Sequence, residues 1–155
     1  MLNKVNRETW PAARPVARNA APILFALVVL DFLLFAGGAL AHLGIPIPLG
    51  FATWNETFLI PAAIVEAVGT LALGATLISL VAGQAWVLRW CWLALWYCFA
   101  GVLWGMARLA IGSIPAARTV SNDFLHIAMT LVTTLALVRL ASLNNDANRR
   151  VEKKA

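Results

Sequence analysis

Charge is what this chain has least of. Charged residues make up 12% of it and hydrophobic residues 61%, where soluble domains carry about 25% charged residues. A soluble fold has no use for so much apolar surface, so a soluble catalytic module is excluded. Cysteine is sparse too: Cys91 and Cys98 stand alone, with no CxxC. Seven positions along a helix separate Cα atoms by about 10 Å, beyond the ~7 Å a disulfide can bridge. They read as buried, free thiols, and a thiol-relay oxidoreductase is disfavoured. No phosphate-binding loop and no nucleophile–base motif occurs, which argues against nucleotide-driven chemistry. The stretch 44–57 has no Lys or Arg at all.

What the chain does have is long apolar runs. A membrane span needs about 20 mostly apolar residues, and four such runs fit, at roughly 22–43, 58–83, 86–111 and 123–143. The predicted fold is an all-α integral membrane four-helix bundle of antiparallel, up-down topology. A basic segment, 1–21, precedes it and a basic tail, 144–155, follows. Prolines 11, 15 and 22 are expected to break any long helix before the first span, leaving at most a short interfacial piece around Trp10. Ala39-Leu40-Ala41 resembles a signal cleavage site, but the apolar stretch is too long for a signal and Asp31 interrupts it, so it reads as an uncleaved span.

The net charge of +5 is explained by topology. Lys4, Arg7, Arg14 and Arg18 precede the first run, Arg89 opens the third, and Arg139, Arg149, Arg150, Lys153 and Lys154 close the fourth. With the 44–57 connection devoid of basic residues and Arg118 in the other connection of that side, the positive-inside rule places both termini in the cytoplasm. The basic tails hold this topology and touch anionic lipid rather than nucleic acid.

The loop 44–50, with Pro46 and Pro48, cannot continue a helix. Trp54 and Phe58 are expected to anchor the second span, with Pro61 in its first turn. Gly83-Gln84-Ala85 predicts a tight turn between the second and third helices, and Ser121-Asn122-Asp123 supplies caps for the fourth.

Ionisable residues inside the runs are the features that need explaining, since a charge at the bilayer centre costs at least about 2.5–3.5 kcal/mol. Helical spacing groups them with small and hydroxyl residues. The first helix presents Asp31, Phe35, Gly38 and His42 on one face, and the second Ala62, Glu66, Gly69, Thr70 and Gly74. The third presents Tyr97, Gly101, Gly105, Arg108 and Gly112, and the fourth Asp123, His126, Thr130 and Thr133-Thr134. Small residues permit close helix approach and Thr can bond across helices, so all four faces are expected to point inward. Depth along each helix gathers His42, Glu66, Arg108, Asp123 and His126 toward the outer leaflet, with Asp31 and Tyr97 beneath. Arg89 and Arg139, near the cytoplasmic ends, can snorkel.

Glu66 is either a proton- or ligand-binding carboxylate or half of a structural pair with Arg108. Asp31 has no basic partner at its depth, so water, Tyr97 or a neutral form must satisfy it. His42 and His126 on facing helices could hold a b-type haem. With Asp123 they could bind a metal, though no HxxxH or Cys/His spacing is present, and no metal site is assigned. Trp86 and Trp90 read as an interfacial belt, and Trp92 and Trp96 as lipid or subunit contacts rather than a quinone or sterol site.

Ala36-Gly37-Gly38 leading to His42-Leu43, the proline-containing loop, Pro61 to Gly69 with Glu66 inside it, and Leu71-Ala72-Leu73-Gly74 together resemble the DoxX-like family of small four-helix membrane proteins. The match covers roughly 36–74; Asp31 and the Trp-rich third helix depart from the pattern. The resemblance implies a bacterial inner-membrane protein, sometimes an accessory subunit of a quinone-linked oxidoreductase. The sequence reading is therefore an accessory or small-ligand-binding membrane protein whose outer polar cluster either binds a quinone-type headgroup or stabilises the bundle. Nothing indicates an enzymatic activity of its own. A proton-coupled small transporter acting as a homo-oligomer, with Glu66 and Asp31 taking turns protonating, and a haem-binding electron-transfer subunit are the alternatives.

Overall fold

A computed structural model describes residues 16–50, 53–84, 86–112 and 120–152. Trp10, the loop with Pro115 and Arg118, and Lys153 and Lys154 lie outside the described residues. Four helices form the fold: α1 (Val16–His42), α2 (Ile60–Val81), α3 (Val87–Ala110) and α4 (Val120–Glu152). Each contains a stretch of at least 21 residues long and apolar enough to cross a bilayer. Each helix packs on its neighbours in sequence, and α4 returns to α1, so the four close into a ring. The end of α1, the start of α2, the end of α3 and the start of α4 line one cavity. Successive helices therefore run in opposite directions.

The bundle is built inside out by the standard of a soluble protein. Leu71, Ile78 and Val81 of α2, Leu93 of α3, and Phe124 and Val138 of α4 all point outward. The inner line of α2 is Ala63, Glu66, Gly69, Leu73, Thr76 and Ser79, mostly small or polar. With apolar side chains outside as well as inside, apolar burial does not separate the two faces, and close packing and hydrogen bonding distinguish the inner one, the pattern of helices that pair in lipid. Gly69 shows the packing term: a Cβ there would sit 2.8 Å from Phe35 Cδ1 and 3.2 Å from Cys98 Sγ, so this glycine lets three helices meet. Gly105 has open space around it, with nothing within 4 Å of where a Cβ would stand. Gly105→Ala is therefore expected to stabilise the protein by about 0.5–1 kcal/mol through helix propensity alone, read by the midpoint of denaturant unfolding in detergent.

Helix ends differ from the sequence expectation at three places. Pro22 lies inside α1 rather than at its start. It forfeits one backbone bond near the end of the helix, and the turns on either side carry the helix through. The basic tail after residue 143 continues the helix to Glu152 instead of ending it with the predicted span, and Ser121, Asn122 and Asp123 stand within the first turn of α4 rather than capping it from outside. By contrast the short α2–α3 turn follows its glycine. Gly83 adopts φ +64°, and Gly83 N–H donates to Leu80 O (3.3 Å) and Gln84 N–H to Ser79 O (3.1 Å), closing the carbonyls at the helix end.

The α1–α2 connection holds a minimal hairpin, β1 (Ile47–Pro48) paired antiparallel with β2 (Thr53–Trp54). Trp54 is not an interfacial anchor: its side chain is buried, and its ring lies where a Cβ on Gly37 would be, 2.5 Å from Cζ3. The loop folds over the bundle mouth, and Leu59 N–H donates to the His42 carbonyl at 3.0 Å, fastening it to the end of α1.

Candidate functional site

The α1–α2 and α3–α4 loop end of the bundle contains a cavity of about 590 Å³, within the ordinary range for a small-molecule site. Its walls are mainly apolar, from Phe35, Pro61, Val65, Val102 and Trp104, and His42, Glu66, Arg108, Asp123 and His126 all reach it. These five come from four helices and are far apart in sequence. The bundle's alternating directions bring them to one level.

His42 sits in the last turn of α1 and is 4% exposed. Its Nδ1 is 3.1 Å from the Thr57 carbonyl. His126, in the second turn of α4, places its Nδ1 2.8 Å from the Asn122 carbonyl. A carbonyl oxygen can only accept, so both rings carry their hydrogen on Nδ1, and in the neutral ring Nε2 is a lone pair. The two rings have centroids 6.4 Å apart and planes inclined at 58°.

Glu66 approaches both from the second turn of α2. Its Oε1 is 3.8 Å from His42 Nε2, and its Oε2, though buried, has no hydrogen-bond partner among the described residues. Gly38 on α1 makes room: a Cβ there would stand 2.7–2.8 Å from the carboxylate atoms. His42 is thus a basic group set against Glu66. Arg108 lines the same cavity with its guanidinium 5.8 Å from the centre of the exposed Trp104 ring, a cation–π distance.

Compared with protein-family models, with curated proteins and with solved structures, the chain shows no match.

The two remaining sequence candidates lie elsewhere. Asp31 is fully enclosed at mid-bundle, and its partner is Thr133 on α4, whose hydroxyl is 2.9 Å from Oδ1 and 3.0 Å from Oδ2. Tyr97 does not lie beneath the cluster. It is half-exposed on the outside of α3, and its hydroxyl donates to the Val65 carbonyl at 3.2 Å. The inner face of α3 is formed by Cys91, Ala94, Leu95, Cys98 and Val102, roughly one position round from the predicted line. Cys91 and Cys98 are free and buried. Arg139 bonds to Ser142 of its own helix at 3.3 Å.

Sequence reading missed Glu56. It is buried in the loop over the mouth, where Trp54 Nε1 donates to its Oε1 at 2.8 Å. A carboxylate outside the apolar runs costs nothing by hydropathy, so only the Trp-Asn-Glu string beside an otherwise apolar loop could have marked it.

The geometry also bears on haem. A porphyrin between His42 and His126 needs a clear plane between the imidazoles, and the Glu66 carboxylate stands within 4.8 Å of a ligand atom of each. The arrangement suits a small group at the polar end better than a flat macrocycle.

Proposed function

We propose that this is a multi-pass membrane protein that binds a small amphiphile of quinone type in the cavity at its loop end. The observation that carries this reading is the cavity itself: an apolar chamber of about 590 Å³ whose polar groups are confined to His42, Glu66, Asn122, Asp123, His126 and Arg108. A headgroup with carbonyl oxygens meets the N–H groups of Arg108 and Asn122 there, and an isoprenoid or alkyl tail finds Val65, Val102 and Trp104. The outward-facing apolar side chains of all four helices support insertion in a bilayer. The charge asymmetry of the loops supports cytoplasmic termini. The DoxX-like pattern over 36–74 supports a place as an accessory subunit in a bacterial inner membrane.

Trp104 lines the chamber and reports on it. Titrating the purified protein in detergent with a short-chain quinone should give saturable quenching of tryptophan fluorescence. Gly105 lines the chamber and a Cβ there meets nothing within 4 Å; Gly105→Leu puts a side chain into that space and should weaken the binding at least about tenfold, as loss of one good apolar contact of about 1.4 kcal/mol would. Linear, unsaturable quenching, or equal binding by the Leu variant, would refute the assignment.

A further inference from the structure

Three groups that can each offer an electron pair converge at the polar end of the cavity. One ligand atom each from His42, Glu66 and His126 lies within 4.8 Å of the others. Both imidazoles are turned by the same device: each Nδ1 is engaged by a main-chain carbonyl, Thr57 O for His42 and Asn122 O for His126. That is the outer-shell arrangement which, in metal proteins, fixes the tautomer and aims the Nε2 lone pair at an ion. The third donor is a carboxylate that is 6% exposed and has one oxygen without a hydrogen-bond partner among the described residues. A buried lone pair facing another lone pair is unfavourable unless a proton or a metal ion stands between them, and a metal ion can satisfy all three groups at once.

We propose that His42, Glu66 and His126 bind a divalent first-row transition-metal ion, of which Zn²⁺ suits the donor set best. Two imidazole nitrogens and one carboxylate oxygen match the His₂Glu sets of zinc sites that keep a fourth position open. The set is too nitrogen-rich for Mg²⁺ or Ca²⁺ and has no thiolate or thioether for Cu⁺. Metal–ligand bonds of about 2.0–2.2 Å in a tetrahedron put ligand atoms about 3.3–3.6 Å apart. The Glu66–His42 separation of 3.8 Å is already close to this, and the widest gap, at most 4.8 Å, closes by small side-chain rotations. His126 is half-buried and belongs to a different helix from the other two, so an ion would tie α4 to α1 and α2. The fourth position opens to the cavity that all three residues line. This site goes beyond the amphiphile reading and stands without it, since it requires only these three side chains.

The test uses full-length protein in detergent, stripped with a chelator and titrated with Co²⁺, then with Zn²⁺. The expected result is one Co²⁺ per chain with visible d–d bands of a four-coordinate nitrogen–oxygen site, displaced by one equivalent of Zn²⁺. His42→Gln, Glu66→Gln and His126→Gln should each weaken Co²⁺ binding by more than about tenfold, since even outer-shell changes cost 10–100-fold. Helical circular dichroism checks that each variant folds. A second readout is a Zn²⁺-dependent rise in the melting temperature of the wild type that His126→Gln abolishes; being half-buried, this position tolerates the change. Failure of the wild type to take up Co²⁺ at sub-millimolar concentration, or undiminished binding by folded Glu66→Gln and His126→Gln, overturns the proposal.

Discussion

Thr133→Val is expected to destabilise the bundle by about 2 kcal/mol, and replacing Asp31 together with Thr133 by apolar residues should recover most of the loss. Thr133 has one hydroxyl hydrogen and three acceptors within reach: Asp31 Oδ1 at 2.9 Å, Asp31 Oδ2 at 3.0 Å and the Met129 carbonyl at 2.8 Å. It is the hydrogen-bond partner of Asp31 that the structure shows, and both residues are fully buried. Removing the hydroxyl leaves an enclosed carboxyl group without it, which costs about 1–3 kcal/mol, and more where the group is charged. Hydrogen bonds between membrane helices average only about 0.6 kcal/mol, because partners are found in the unfolded state too. Complete enclosure places this pair at the upper end. Asp31→Asn supplies amide hydrogens that the carboxyl–hydroxyl pair is short of, so it should cost less than about 1 kcal/mol. Unfolding midpoints in mixed micelles decide the matter: a Thr133→Val loss under about 0.5 kcal/mol, or an Asn variant worse than the Val one, would show that the pair is not what holds Asp31.

Gly38→Ala tests the cavity end in the same way. The new methyl would stand 2.7 Å from Glu66 Oε1 and 2.8 Å from Cδ and Oε2, closer than a Cβ comes to its neighbours, so the buried carboxyl group has to shift. Overpacking costs about 1–3 kcal/mol, against a gain of up to about 1 kcal/mol from helix propensity. The net expectation is a loss of about 1–2 kcal/mol, with Glu66 pushed away from His42. The same substitution at Gly105, where space is open, has the opposite sign, so the pair separates packing from propensity. A neutral or stabilising Gly38→Ala would mean that α1 and α2 part easily at this level, and that the carboxylate is not held as described.

How far the residues alone reach can be judged helix by helix. The four apolar runs are legible because length and hydropathy are properties of a local segment, and α2 and α3 lie within two residues of the predicted bounds. α1 and α4 run longer because a proline near a helix end and a polar tail both tolerate helix when the neighbouring turns supply the bonds. Faces are harder. In a helix that is apolar all round, periodicity has little contrast. The small-residue line of α3 points to a face through Tyr97 and Arg108, whereas Cys91, Cys98 and Val102 are the residues that face inward.

Partners are harder still. That Glu66, His42, His126, Asp123 and Arg108 belong at one end follows from counting residues along alternating helices. Which of them touch does not. The distance between His42 and Glu66 depends on Gly38 letting α1 and α2 close up, and on the loop carbonyl of Thr57 turning the ring. Asp31 meets Thr133, 102 positions away, because α4 returns to α1.

The amino-acid sequence by itself determined the number of apolar helices, their alternation and the level at which each ionisable residue lies, since these follow from composition and a rise of about 1.5 Å per residue. Only the tertiary structure decided rotation and contact: that Tyr97 faces out, that Glu56 and Trp54 are buried in the loop, and that His42, Glu66 and His126 come within 4.8 Å of one another. Rotation about a helix axis is set by packing between helices, and in an apolar chain that packing leaves almost no trace in the order of residues.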